Sequence, residues 1–170
     1  MMVTLMGVAS PPDVDAFDRA LAALTAGNRA AVRGDRAHLR AAALMLLSSG
    51  ARPVAEADMA TLWLERAHAQ PPPATRDRAL GPGYRSLRLN GGDAAAFKQT
   101  FLAGQRARVA VVPLRRSSFA MRVHEDASAP VCSGSQRRPQ CDWVPAYTTR
   151  FTIEVSNSGN SPGQYILVMQ

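Results

Sequence analysis

From Asp13 to His68 the apolar residues return at helical spacing: Val14, Phe17, Leu21 and Leu24 form one stripe, and Leu39, Leu44, Leu46 and Leu47 a denser one. Gly27, Gly34 and Gly50 punctuate this run. Asp13 and Asp15 stand where the positive end of a helix dipole favours acids, and Pro53 permits a helix only after it. The pattern predicts three to four short helices in an antiparallel hairpin or small bundle. Three consecutive prolines then open "PPPATRDRALGP", residues 71–82, a stiff connection that neither helix nor central strand continues.

Beyond that linker the period becomes two. "SLRLN" alternates Leu87 and Leu89 with polar neighbours, and "RARVAVV" sets Ala107, Val109 and Val111 opposite Arg106 and Arg108. "FAMRV" sets Phe119, Met121 and Val123 opposite Arg122, and "RFTIEV" sets Phe151, Ile153 and Val155 opposite Thr152 and Glu154. Turn signals separate these runs at residues 90–93, 103–105, 115–118 and 157–163, and "QYILVMQ" closes the chain as a last strand. About seven short strands without an intervening helix predict an antiparallel β-sandwich. The expected organisation is α+β with the two kinds of structure segregated: a helical module at 13–70, a linker at 71–82 and a sandwich at 83–170.

Composition sharpens that division. The chain has 170 residues, 46% of them hydrophobic, enough to bury a core, and no apolar run of membrane-spanning length. Residues 1–70 carry seven Arg against seven acids, whereas residues 71–170 carry thirteen basic residues against six acids, so the net charge of +7 belongs to the second part. Lys98 is the single lysine, an Arg bias that reads as coding preference rather than as a nucleic-acid signal. The start, "MMVTLMGVAS", is either the remnant of a secretory signal, over about residues 1–12, or an apolar N-terminus packed on the first helix.

Two stretches resemble known families. In "GARPVAEADMATLWLERA", residues 50–67, the residues Gly50, Glu56, Ala60, Trp63, Arg66 and Ala67 resemble the second half of a Sel-one-like repeat, a relative of the tetratricopeptide hairpin. That resemblance implies a helical repeat in which a small Ala lets two helices approach and an aromatic fills the groove beside it. The succession of strands over residues 83–170 resembles the bacterial pre-peptidase C-terminal domain. The features concerned are the turn Ala103, Gly104 and Gln105, the acidic strand end Glu125 and Asp126, and Gly163 and Tyr165 before the closing strand. It implies a jelly-roll-like sandwich carried by secreted proteins, without a catalytic motif. The sequence departs from that pattern by an inserted Cys loop and by lacking the acidic calcium-binding segment of some members.

The loop "PVCSGSQRRPQCDW", residues 130–143, holds the only two cysteines. Zinc needs about four ligands, and no further Cys or His lies near at ligand spacing. A redox pair wants CxxC at a helix start, whereas Cys132 and Cys141 stand nine apart among strands and turns. A disulfide at the base of a polar loop is the expectation, and with it a periplasmic or secreted location. The alternative is a pair of free thiols in a cytosolic protein.

None of His38, His68 and His124 lies in HExxH, in a Cys-His arrangement or near a serine in GxSxG. His124, Glu125 and Asp126, with Asp142 across the Cys loop, are candidate divalent-ion ligands, against a solvated turn whose alternating side chains point apart. Arg88, Arg106, Arg108 and Arg122, with Arg115, Arg116, Arg137 and Arg138 in loops, are candidates for a shared basic face that would attract an anionic polymer. Few aromatics are placed to stack on bases, which disfavours nucleic acid. Trp143 and Tyr147 beside the clamped loop are either an exposed recognition tip or, for Trp143, a cover over the disulfide from inside the sandwich. The functional expectation is a cofactor-free, non-catalytic binding or accessory protein of the cell envelope. It would meet a protein or envelope polymer through Arg106, Arg108, Arg122, Arg137, Arg138, Trp143 and Tyr147, without spanning a membrane. The rival is a metal-dependent binder or enzyme centred on His124, Glu125, Asp126 and Asp142, or an anionic-polymer binder through the Arg-rich face.

Overall fold

Asp15 opens the helical part by accepting the Asp18 N–H, and α1 (Ala16–Arg33) runs from that cap to Gly34, whose left-handed backbone stops it. Asp35 caps α2 (Arg36–Ser48) in the same way, and Asp58 caps α3 (Met59–Arg66) by accepting from Ala60 and Thr61. Where the periodicity predicts three to four short helices, the described residues form three, each started by an aspartate. Gly27 does not punctuate α1 but lies inside it, and it answers to packing. A Cβ there would come within 2.3 Å of the Trp63 ring. The bare backbone lets the fully buried indole of α3 press against α1.

The computed structural model describes residues 15–55, 58–73, 81–115, 117–126, 128–134 and 139–170. The possible signal remnant, Asp13, Val14, Glu56, Arg116, Arg137, Arg138 and most of the Pro-rich linker lie outside the described residues. A short strand β1 (Arg52–Pro53) precedes α3, and eight strands follow it: β2 (Gly83–Leu89), β3 (Ala94–Phe101), β4 (Ala107–Pro113), β5 (Phe119–Glu125), β6 (Cys132–Gly134), β7 (Gln140–Trp143), β8 (Thr149–Asn157) and β9 (Gly163–Met169). They form a five-stranded sheet in the order β1-β2-β9-β4-β7 and a four-stranded sheet in the order β3-β8-β5-β6, antiparallel except for the β1–β2 pair. The protein is α+β, helices first and a β-sandwich after.

Two cores hold it together. Between the sheets, Val109 and Val111 of β4, Met121 and Val123 of β5, Phe151, Ile153 and Val155 of β8, and Tyr165 and Leu167 of β9 fill the sandwich. On the other side of the five-stranded sheet, Tyr84, Ala110, Val112, Ile166 and Val168 join Phe17, Leu24, Leu39, Leu46 and Trp63 of the helices in a second core. The helices therefore lie as a third layer on the sandwich, and β4 and β9 are buried on both faces. Tyr84 also ties β2 to the start of α3, donating its hydroxyl to Asp58 at 3.1 Å while that oxygen accepts the Met59 N–H at 3.2 Å. Burial first, and then the Asp58 carboxylate, push the Tyr84 phenol well above its ordinary value.

Candidate functional site

The sandwich has two ends, built from different loops. At one end the β3–β4 turn and the β7–β8 loop meet: Gly104 N–H donates to the Pro145 carbonyl at 2.9 Å and Ala103 N–H to Thr148 Oγ1 at 3.0 Å. These bonds hold Leu102, Val144 and Tyr147 on neighbouring loops at 50%, 61% and 70% exposure. Just behind them, the disulfide between Cys132 and Cys141 spans a Cα separation of 5.9 Å. Because β6 is an edge of the four-stranded sheet and β7 an edge of the five-stranded one, the bridge joins the two sheets along one side. Spacing alone leads to the staple; that it crosses between layers depends on topology.

Trp143 belongs to the inside. Its ring meets Phe101 at 4.9 Å and Phe151 at 5.3 Å, both edge-on, among the aromatic residues of the sandwich core next to Cys132 and Cys141. Its Nε1 has no hydrogen-bond partner among the described residues. The exposed aromatic of this end is Tyr147, with Leu102 and Val144 as neighbours that sequence reading did not single out.

The arginines expected on one basic face divide between the two outer faces of the sandwich. Strict alternation turns Arg108 outward on β4, under α1, and turns Arg122 outward on β5, in the other sheet, while Arg106 stands just before β4. Arg108 is only 5% exposed. Its Nη1 donates to Asp15 Oδ2 at 2.7 Å and its Nη2 to Asp18 Oδ1 at 2.6 Å, while the guanidinium carbon lies 4.3 Å from the centre of the Phe17 ring. Arg106 is exposed and bonds Asp142 through two nitrogens, with Asp15 at 3.8 Å. Arg106 and Arg108 thus form, with Asp15, Asp18 and Asp142, a latch between the first turn of α1 and the sheet. Burial works to raise the Asp15 carboxyl, but the Asp18 N–H and the Arg108 guanidinium outweigh it and hold the group below its ordinary value. Asp142 raises the Arg106 guanidinium in turn. Arg122 has only a 4.0 Å approach to Glu154, both in contact with solvent.

The candidate metal ligands do not converge. His124 faces outward from the four-stranded sheet, where its Nδ1 donates to the Asp126 carbonyl at 2.6 Å and its Nε2 lies 3.4 Å from Glu154. Asp142 points outward from the opposite sheet into the arginine latch, so the thickness of the sandwich separates it from His124. Asp126 offers His124 its backbone oxygen, at a residue whose φ of 38° marks the tight turn after β5. Among the described residues no three His, Cys, Asp or Glu side chains are grouped to hold a metal ion, and no helix is long and apolar enough to cross a membrane.

The opposite end of the sandwich, which sequence reading left unassigned, is organised by Asn157. Its buried amide donates to the carbonyls of Leu89, Asn90 and Ser161 at 3.3, 3.2 and 2.8 Å and accepts the Gly159 N–H at 3.1 Å. One side chain thereby ties the β2–β3 turn to the β8–β9 loop, and Ser158, through its N–H and hydroxyl, joins the β4–β5 loop at the Ser118 carbonyl.

No family model and no curated protein matches the chain, so the helical-repeat resemblance finds no support. Solved structures that it is similar to include the pre-peptidase C-terminal domain of a collagenase from Bacillus anthracis, at 13% identity and a TM-score of 0.46 over 51% of this chain and 87% of that one. The periplasmic inhibitor of g-type lysozyme from Aeromonas hydrophila is similar at 12% identity and a TM-score of 0.40, over 52% and 86%. The Yersinia pseudotuberculosis-derived mitogen is similar at 8% identity and a TM-score of 0.46, over 53% and 85%. With identities this low and TM-scores below one half, none of the three decides what this chain binds.

Proposed function

We propose that this chain is a non-catalytic binding module of the bacterial cell envelope or secreted fraction, and that it meets a protein partner through the end of the sandwich that carries Tyr147. The observation behind the reading is the exposed apolar group Leu102, Val144 and Tyr147 on two loops hydrogen-bonded to each other and backed by the Cys132–Cys141 bridge. Aromatic and aliphatic side chains on a rigid mount are what a protein interface uses for affinity, because little conformational freedom is lost on binding. The disulfide supports an oxidising compartment. No specific observation favours the metal-dependent reading, since His124 and Asp142 are separately engaged.

The test immobilises the full chain, passes soluble envelope extract over it, and repeats the capture with a Val144→Ser, Tyr147→Ser double variant. A protein retained by the wild type and lost by the variant supports the reading, and equal retention removes this end as the contact. Binding to purified cell-wall polymer with no protein retained would move the function to polymer recognition. Intact mass before and after reduction checks the compartment: a protein isolated from its native host lighter by two hydrogens carries the bridge, and full alkylation without reductant would remove the exported location.

A further inference from the structure

At the end organised by Asn157, the last turns of α1 and the β4–β5 and β8–β9 loops line an open groove of about 1440 Å³. It lies at the far end of β4 and β8 from Tyr147. Among the described residues its charged lining is Arg29 and Arg33 on the helix and Arg115 on the loop, and no carboxylate contributes. All three arginines are solvent-exposed, and none has an ion-pair partner among the described residues. The contrast lies within one helix: the acids of α1, Asp15 and Asp18, are spent on the latch at its start, and its end offers uncompensated guanidiniums.

The walls are preorganised. Asn28 Nδ2 donates to the Leu114 carbonyl at 2.9 Å, which fixes the helix to the β4–β5 loop, and the Asn157 network fixes the loops to one another. Hydroxyl and amide groups of Ser117, Ser118 and Asn160 supply donors and acceptors along one wall. Val32, 72% exposed, on the helix and Leu114 on the β4–β5 loop supply apolar contact. Among the described residues no aromatic ring lines the groove. A saccharide polymer or a single-stranded nucleic acid would lack its stacking surface there, whereas an extended polypeptide finds main-chain partners, apolar contact and, where acidic, charge complement.

We propose that this groove binds an extended acidic polypeptide segment, with Arg29, Arg33 and Arg115 pairing its carboxylates. It is a second site, independent of the Tyr147 end. The experiment measures fluorescence anisotropy of a labelled ten-residue Glu/Leu peptide on the full chain, with an oligoglucuronate of similar charge and a Lys/Leu peptide as competitors. The expected result is saturable binding that weakens with salt, displacement by unlabelled Glu/Leu peptide and by neither competitor. It is lost by at least tenfold in an Arg29→Gln, Arg33→Gln, Arg115→Gln variant and unchanged in an Arg66→Gln, Arg122→Gln, Arg150→Gln variant, whose substitutions remove the same charge from outside the groove. Circular dichroism confirms that both variants are folded. Equal loss in the two variants would reduce the effect to net charge and overturn the proposal. No binding, or stronger displacement by oligoglucuronate than by acidic peptide, would overturn it as well.

Discussion

The two sheets of the sandwich face the same interior and differ in what lies outside them. The four-stranded sheet turns Thr152, Glu154, Arg122 and His124 toward solvent, and its strands β5 and β8 alternate buried and open positions. The five-stranded sheet turns Ala110, Val112, Ile166 and Val168 into the helices, and its central strands are buried almost without interruption. Period-two alternation therefore measures the number of covered faces, and a strand covered twice loses it. The same contrast decides the fate of two outward arginines. Arg122 remains a solvated side chain, whereas Arg108, chemically identical, is sealed under α1 and fixed by two carboxylates and a ring.

Truncation of core residues breaks or upholds this comparison most sharply. Ile166→Ala, on the helix side of β9, and Leu167→Ala, on its sandwich side, should each cost about 2 to 5 kcal/mol in chemical denaturation, through lost burial and a residual cavity. On β8 the cost should be one-sided: Ile153→Ala in the same range and Thr152→Ala within about 0.5 kcal/mol. A cost for Ile166→Ala as small as that of Thr152→Ala would show that the helices do not cover the sheet.

The disulfide tests whether the two sheets unfold together. It closes a ring with a sequence separation of nine, and chain entropy gives it roughly 2.5 to 3 kcal/mol. The Cys132→Ser, Cys141→Ser variant should lose that amount in a single cooperative transition. Two transitions would mean that the bridge, rather than the shared core, makes the layers one unit.

These differences also set what the sequence shows. The alternation of "RFTIEV" places β8 and its inward residues directly, because one face is wet. The strand "RARVAVV" misleads at Arg108, which reads as solvated like Arg106, while the aspartates that receive it lie 90 and 93 residues away and share no local pattern with it. Gly27 reads as a helix break until Trp63 is seen against it. Edge strand β3, with its run of alanines, carries weak strand propensity and is defined by pairing with β8 along its whole length. The tip is partly legible: Tyr147 stands out by type and the bridge by spacing, but Leu102 joins them only through the turn bonds. The groove leaves no local trace, since its three arginines come from a helix and a loop more than eighty residues apart.

Removing each outward arginine separates the two faces by a smaller amount. Arg108→Ala should cost about 1 to 3 kcal/mol, because it strips hydrogen bonds from Asp15 and Asp18 and contact from Phe17. The half-open carboxylates keep it below the cost of breaking a fully buried pair. Arg122→Ala should cost less than about 0.5 kcal/mol. Equal values would show that the latch adds nothing to the attachment of the helices.

Acid should act on the helical layer before the open sheet, by the smallest margin of these effects. Asp15 is held below its ordinary value against the opposing pull of burial, and so is Asp58, which burial also raises but which the Thr61 hydroxyl and N–H and the Tyr84 hydroxyl lower further. A carboxyl depressed in the folded state adds stability above its unfolded value, near pH 4, and that contribution is lost as pH falls through the folded value. Wild-type stability should therefore decline below about pH 4. Asp58→Asn should flatten the decline more than Asp15→Asn, because Asp15 is 41% exposed and solvent screens its pairing with Arg108 to less than about 1 kcal/mol. On the alkaline side the sign reverses. The Tyr84 phenol is raised, so its contribution is complete below about pH 10 and fades as pH climbs above that. Tyr84→Phe keeps the ring in the helix-side core and removes both the Asp58 bond and this alkaline limb. If Tyr84→Phe left both limbs unchanged, the β2–α3 tie would be ruled out as the group that titrates.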